Sequence, residues 1–164
     1  MSRFVSKKKL LAAISIFLLN LTLCCAETVR ICIWEGSQRP VLSSFRGKYR
    51  GQLSLVKWNK KYLVINTMDV EEYLFGVVGK EMEKSWPFEA LKAQAVCSRT
   101  LIYHFKDLAM KKNIPYDVSD TIHHQVYGGV ISENEAIVRA VEETSSQVLV
   151  GQGEEKGYNI IPTF

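Results

Sequence analysis

The chain has 164 residues, 47% of them hydrophobic and 23% charged, with a net charge of +4. That is enough chain for one domain with a true core and an ordinary globular composition. Four of the 21 basic residues, Arg3, Lys7, Lys8 and Lys9, precede the first acid, Glu27; the rest balance the 17 acids, which argues against a nucleic-acid partner.

Residues 1–26 read as a secretory signal peptide. A basic start is followed by an apolar run from Leu10 to Leu23, then small residues at Cys24-Cys25-Ala26 before Glu27. The run is short for a membrane span of roughly 20 residues; an uncleaved anchor and a lipid-anchored cysteine are the alternatives. The expected address is therefore the periplasm or the outer face of the cytoplasmic membrane. Residues 27–164 read as a single domain. Cys32 and Cys97 remain in it, either as one disulfide or as two small buried hydrophobes.

Thr28 to Trp34 alternate with period 2 and predict a strand. Gly36, Pro40 and Gly47 mark residues 35–50 as loop. Leu53–Val56 and Tyr62–Ile65 predict two more strands around the polar turn Trp58-Asn59-Lys60-Lys61, a hairpin. Asp69, with Glu72 three residues on, opens a helix that ends around Lys80 to Met82. Gly76 and Gly79 weaken this helix by about 1 kcal/mol each relative to Ala, and they allow a backbone or a ligand to approach closely.

A second helix follows Ser85-Trp86-Pro87, with Phe88, Leu91, Ala95, Ile102, Phe105 and Ala109 as its core face and small residues from Ala93 to Ser98 for tight packing. Gln94 and Arg99 fall outside that face. A loop with Pro115 leads to Asp120-Thr121 and His123-His124. A third helix is expected from Ser132, with Glu135 completing a capping box and Ile137, Ala140, Val141 and Thr144 facing inward. Gln147–Val150 predicts a strand. The fold class is α+β: antiparallel strands in a curved sheet packed against two or three helices.

The candidate for chemistry is Glu81. It continues the seam Val70, Tyr73, Leu74, Val77, Val78 at i, i+3, i+4 spacing. A carboxyl on an apolar seam either pairs with a cation such as Lys80 or Lys84, or is held partly desolvated, so that it stays protonated and can donate to a leaving group. Lys92, Gln94 and Arg99 could line a groove as hydrogen-bond donors, or form a solvated helix face. His123 and His124 are weak metal candidates: adjacent residues on extended chain point to opposite faces, and no stereotyped zinc spacing accompanies them. Ser98 and His104 form no triad, and phosphate-binding glycine loops are absent from the sequence.

The blocks Glu71-Glu72-Tyr73-Leu74, Gly76-Val77-Val78, Glu81-Met82, Ser85-Trp86-Pro87 and Glu89 to Val96 resemble the stage II sporulation protein D family, which also contains the amidase enhancers. Arg99-Thr100, Asp120-Thr121, Gln125-Val126-Tyr127 and Gln147-Val148-Leu149 extend the match over roughly residues 50–150. The resemblance implies an exported lytic transglycosylase acting on peptidoglycan glycan strands. Glu81 would be its general acid/base, Lys92, Gln94, Arg99, Gln125 and Tyr127 would hold the glycan, and no cofactor would be needed. The alternatives are a non-catalytic glycan-binding enhancer of a cell-wall amidase and an inactive truncated remnant.

Three departures from the family pattern stand out. Gly79-Lys80-Glu81-Met82-Glu83 lacks the two prolines usual around the Glu-Met pair. Some members bind zinc through Cys and His near the Asp-Thr segment, where this chain has Ser119 and His124. The Ser-Gly-Gly-type segment expected after Gln147–Val150 is not found before Phe164, so the domain reads as C-terminally incomplete.

Overall fold

The computed structural model describes residues 27–151. The signal segment and the tail beyond Gly151 lie outside the described residues. Strand β1 (Thr28–Gly36), β2 (Gln52–Trp58), β3 (Lys61–Asp69) and the two-residue β4 (Val118–Ser119) form one sheet in the order β2-β3-β1-β4. Helices α1 (Val70–Glu81) and α2 (Phe88–Lys111) pack against it, and α3 (Glu135–Glu143) packs on both helices. The α+β class is as the sequence predicts, with one difference. The sheet is mixed, because β4 runs parallel to β1, pairing Val118 with Ile31 and Ser119 with Cys32.

The β2–β3 hairpin turns at Asn59 and Lys60, both at positive φ (48° and 65°). A two-residue loop with both residues left-handed matches the right-handed twist of its strands. β1 and β3 pair antiparallel, with a register shift between Cys32 and Trp34, a β-bulge in β1. Val29 and Ile31 of β1 point into the main core with Met68, Tyr73, Leu74, Val77, Val78, Leu91, Ile102, Ile137 and Val141. Cys32, Leu63 and Ile65 form a smaller cluster on the opposite face. Both thiols are free; burial pushes that of Cys32 up to about 11, so it behaves as a small core hydrophobe.

The predicted seam of α1 is buried from Val70 to Val78, and Asp69 Oδ1 accepts from the backbone N–H groups of Glu71 and Glu72 at 2.8 and 3.2 Å. Glu81, the last residue of α1, departs from the seam: it is exposed, because the helix ends as it leaves the core. The two helical glycines admit protein rather than ligand. A Cβ on Gly76 would overlap the Tyr127 ring, and one on Gly79 would overlap the Ser132 carbonyl.

Two other expectations fail locally. Gly129–Ser132 is a 3-10 turn, and α3 begins at Glu135 with Asn134 as its cap, Oδ1 accepting from Ile137 N at 3.1 Å. Asn134 competes as well as Ser132 for that role, and the docking of Ser132 on Gly79 keeps residue 132 out of the helix. Gln147–Val150 makes no strand. Its backbone is bound by side chains of α2 instead: Arg99 Nη1 donates to Gln147 O at 3.0 Å, and Leu149 N donates to Thr100 Oγ1 at 2.9 Å.

Candidate functional site

Glu81 opens onto a cleft of about 670 Å³ between the end of α1 and the loop before α3. Lys80, Glu83, Lys84 and Ser85 line one side; Ile131, Ser132, Glu133 and Asn134 line the other. That volume falls in the range of ligand clefts. The second wall is held from outside. Arg50 clasps Glu133 with Nε–Oε1 at 2.8 Å and Nη2–Oε2 at 2.7 Å. Val130 N donates to Lys48 O at 3.1 Å, and Gly129 takes positive φ (64°) where the chain passes Lys48 and Tyr49. The two glycines of α1 let this wall sit directly on the helix that carries the carboxyl.

The Glu81 carboxyl is open to the cleft on one side and backed by α2 on the other. Burial on that protein side raises its pKa above the ordinary carboxyl value, more than hydrogen bonds from Gln94 and Ser98 lower it. Gln94 Nε2 donates to Glu81 Oε2 at 2.8 Å and also reaches Ser98 Oγ at 3.2 Å. Glu81 sits at the negative end of the α1 dipole, which also disfavours a carboxylate. The arrangement can give a proton from a carboxylic acid and take one back.

Of the five residues expected to hold a ligand, Gln94 alone is brought to Glu81. Lys92 faces α3: its Nζ lies 3.4 Å from Glu89 and 3.6 Å from Glu143. Arg99 is fully buried, which corrects its place on a polar face; it pairs with the partly buried Glu71. Gln125 is buried with Nε2 donating to Ser98 O at 3.0 Å. Tyr127 is buried between Tyr49 and Tyr73, its hydroxyl 3.2 Å from Met68 Sδ. These last three hold the frame behind the cleft. Sequence reasoning missed Ser98 and the whole 131–134 wall; the serine is silent in sequence because small residues there read as helix packing.

His123 is exposed, and His124 packs edge-on to Phe105 with Nδ1 2.6 Å from Ser119 Oγ. Ser119 N also donates to Nδ1 at 3.2 Å. Burial lowers the His124 pKa, and the neighbouring His123 lowers it further. Among the described residues no three His, Cys, Asp or Glu side chains are placed to share a metal. With Ser119 and His124 spent on each other, this donor set does not fit zinc.

The family model described as stage II sporulation protein matches residues 58–150, more than half of the chain and all of the cleft. The chain belongs to the stage II sporulation protein family. A Brachyspira hyodysenteriae protein described as uncharacterised is 39% identical to this family member over 108 residues, 65% of this chain and 29% of that protein. The amidase enhancer of Bacillus subtilis is 41% identical over 80 residues, 49% of this chain and 10% of that protein. The chain thus spans less than a third of the length of these curated relatives. No solved structure gives a significant match.

Proposed function

We propose that this chain acts in the cell wall as a lytic transglycosylase on peptidoglycan glycan strands, with Glu81 as general acid and then general base. The observation that carries this reading is the Glu81 carboxyl: raised in pKa, open to a polar cleft and held by Gln94. Protonated Glu81 donates to the oxygen between N-acetylmuramic acid and N-acetylglucosamine, and that bond breaks. The carboxylate then takes the proton from the muramic C6 hydroxyl, whose oxygen attacks the anomeric carbon. The products are a 1,6-anhydro end and a free N-acetylglucosamine end, and Glu81 is protonated again. One carboxyl suffices because the nucleophile belongs to the substrate, in contrast to two-carboxylate hydrolases. No cofactor enters these steps. Lys80, Lys84, Ser85 and Asn134 supply the hydrogen-bonding lining that a glycan's hydroxyl and amide groups require.

Export is part of the proposal and rests on the pattern of residues 1–26. Among the described residues no helix is long and apolar enough to cross a membrane.

A second reading rests on the match to a protein named an amidase enhancer. In it the cleft binds glycan without cutting it and stimulates a cell-wall amidase. Incubation of the purified chain and its Glu81→Gln variant with denuded glycan strands, followed by mass spectrometry, separates the two. Anhydro-muramic ends that vanish in the variant are the expected result. A folded wild-type chain that yields none, yet stimulates an amidase as well as the variant does, establishes the second reading; a chain that does neither is an inactive remnant.

A further inference from the structure

The side of Glu81 away from the cleft carries a short chain of polar groups that do not line the cleft. Gln94 and Ser98 lie four residues apart on α2, on one helical face. The Gln94 amide is shared between Glu81 Oε2 at 2.8 Å and Ser98 Oγ at 3.2 Å. Ser98 has no solvent exposure. A buried helical hydroxyl commonly bonds the carbonyl four residues back, as Thr100 Oγ1 does to Val96 O at 2.7 Å. The Ser98 hydroxyl oxygen accepts from the Gln94 amide instead, so the serine holds the amide that holds Glu81. Behind it, Gln125 Nε2 donates to Ser98 O at 3.0 Å and pins that turn of α2.

We propose that Ser98, together with Gln94, is a positioning residue for Glu81: the pair orients the carboxyl toward the cleft and supports its charged form in the second half of the reaction. This rests on the transglycosylase reading for its purpose, though not for its geometry. The physical need is a balance. Burial and the helix end favour the acid that starts the reaction. Without opposing donors the carboxylate formed at bond cleavage would be a poorly stabilised intermediate. The Gln94 amide, held in place by Ser98, supplies that opposition from the protein side without occupying the face that meets substrate.

The test is a carbon-13 NMR titration of the Glu81 carboxyl in the full labelled chain, in wild type, Ser98→Ala and Gln94→Met. Ala and Met are good helix formers, and circular dichroism checks that each variant folds. A hydrogen bond to a charged group corresponds to roughly one unit of midpoint. The Glu81 midpoint should therefore rise by roughly that amount in Gln94→Met and by less in Ser98→Ala, which only loosens the Gln94 amide, and the alkaline limb of kcat/KM on glycan strands should rise with it. A midpoint shift in a chain that releases no anhydro product keeps the positioning role and removes the transglycosylase reading. Unchanged midpoints in both folded variants, with or without activity, overturn the positioning role.

Discussion

Arg99, fully buried in the middle of α2, holds both carboxylate oxygens of Glu71 in the first turn of α1, Nη2–Oε2 at 2.6 Å and Nε–Oε1 at 2.9 Å. The same guanidinium donates to Val141 O at 3.4 Å and Gln147 O at 3.0 Å, so one side chain joins α1, α2 and the end of α3. Removing one partner of a buried pair strands the other charge. Glu71→Gln should therefore cost about 3 kcal/mol, the low end for such pairs because Glu71 keeps some solvent contact. Arg99→Lys should cost a similar amount, since an ammonium cannot reproduce the fork. Urea unfolding midpoints at constant m-value measure both.

Gly79→Ala tests the seat of the cleft wall. In an isolated helix the change would stabilise by about 1 kcal/mol. Here the new methyl meets the Ser132 carbonyl, and overpacking of that kind costs about 1–3 kcal/mol. Net destabilisation is expected, read by thermal unfolding, and under the proposed function a raised KM for glycan, read by kinetics.

The start of α3 discriminates between two caps. Asn134→Ala should lose about 1 kcal/mol through its bond to Ile137 N, whereas Ser132→Ala should lose well under half of that as a cap. Chemical denaturation of the two variants side by side decides the matter.

Glu81 predicts the shape of the pH profile under the proposed function. The free enzyme must hold the carboxyl protonated to begin. Its pKa is raised, so kcat/KM should fall with rising pH along a limb that lies above the ordinary Glu value of about 4.3. A limb at or below that value would remove burial as the source of the acid.

His124 predicts acid sensitivity of the fold. Burial holds its pKa below the unfolded value of about 6.5. Between the two values the unfolded chain binds more protons, so stability falls as pH drops below 6.5 toward the folded pKa. Protonating Nδ1 also opposes the bond from Ser119 N. His124→Asn should flatten this slope in urea titrations repeated from pH 7 to pH 5.

Local rules made much of the architecture legible. Period-2 alternation identified β1 and the hairpin, and the extents of α1 and α2 followed from Asp69, Pro87 and a 3.6-residue seam. The same periodicity placed Glu81 on the apolar stripe, which in the structure ends at Val78. Arg99 shows where such reading stops. It stands four residues after Ala95, on the core face, yet its charge argued it outward because the compensating Glu71 lies 28 residues away. Ser98 and Ser132 look alike in sequence; one meets Gln94 behind Glu81 and the other docks on a glycine.

What the sequence by itself determined was the class of the fold and the family membership, since these rest on neighbours within one helical turn or on a contiguous block. The tertiary structure alone decided which polar residues face the cleft, which are consumed inside the frame, and which segment forms the opposite wall. Those depend on pairings between residues far apart in the chain, where burial turns a donor either into a site or into a support.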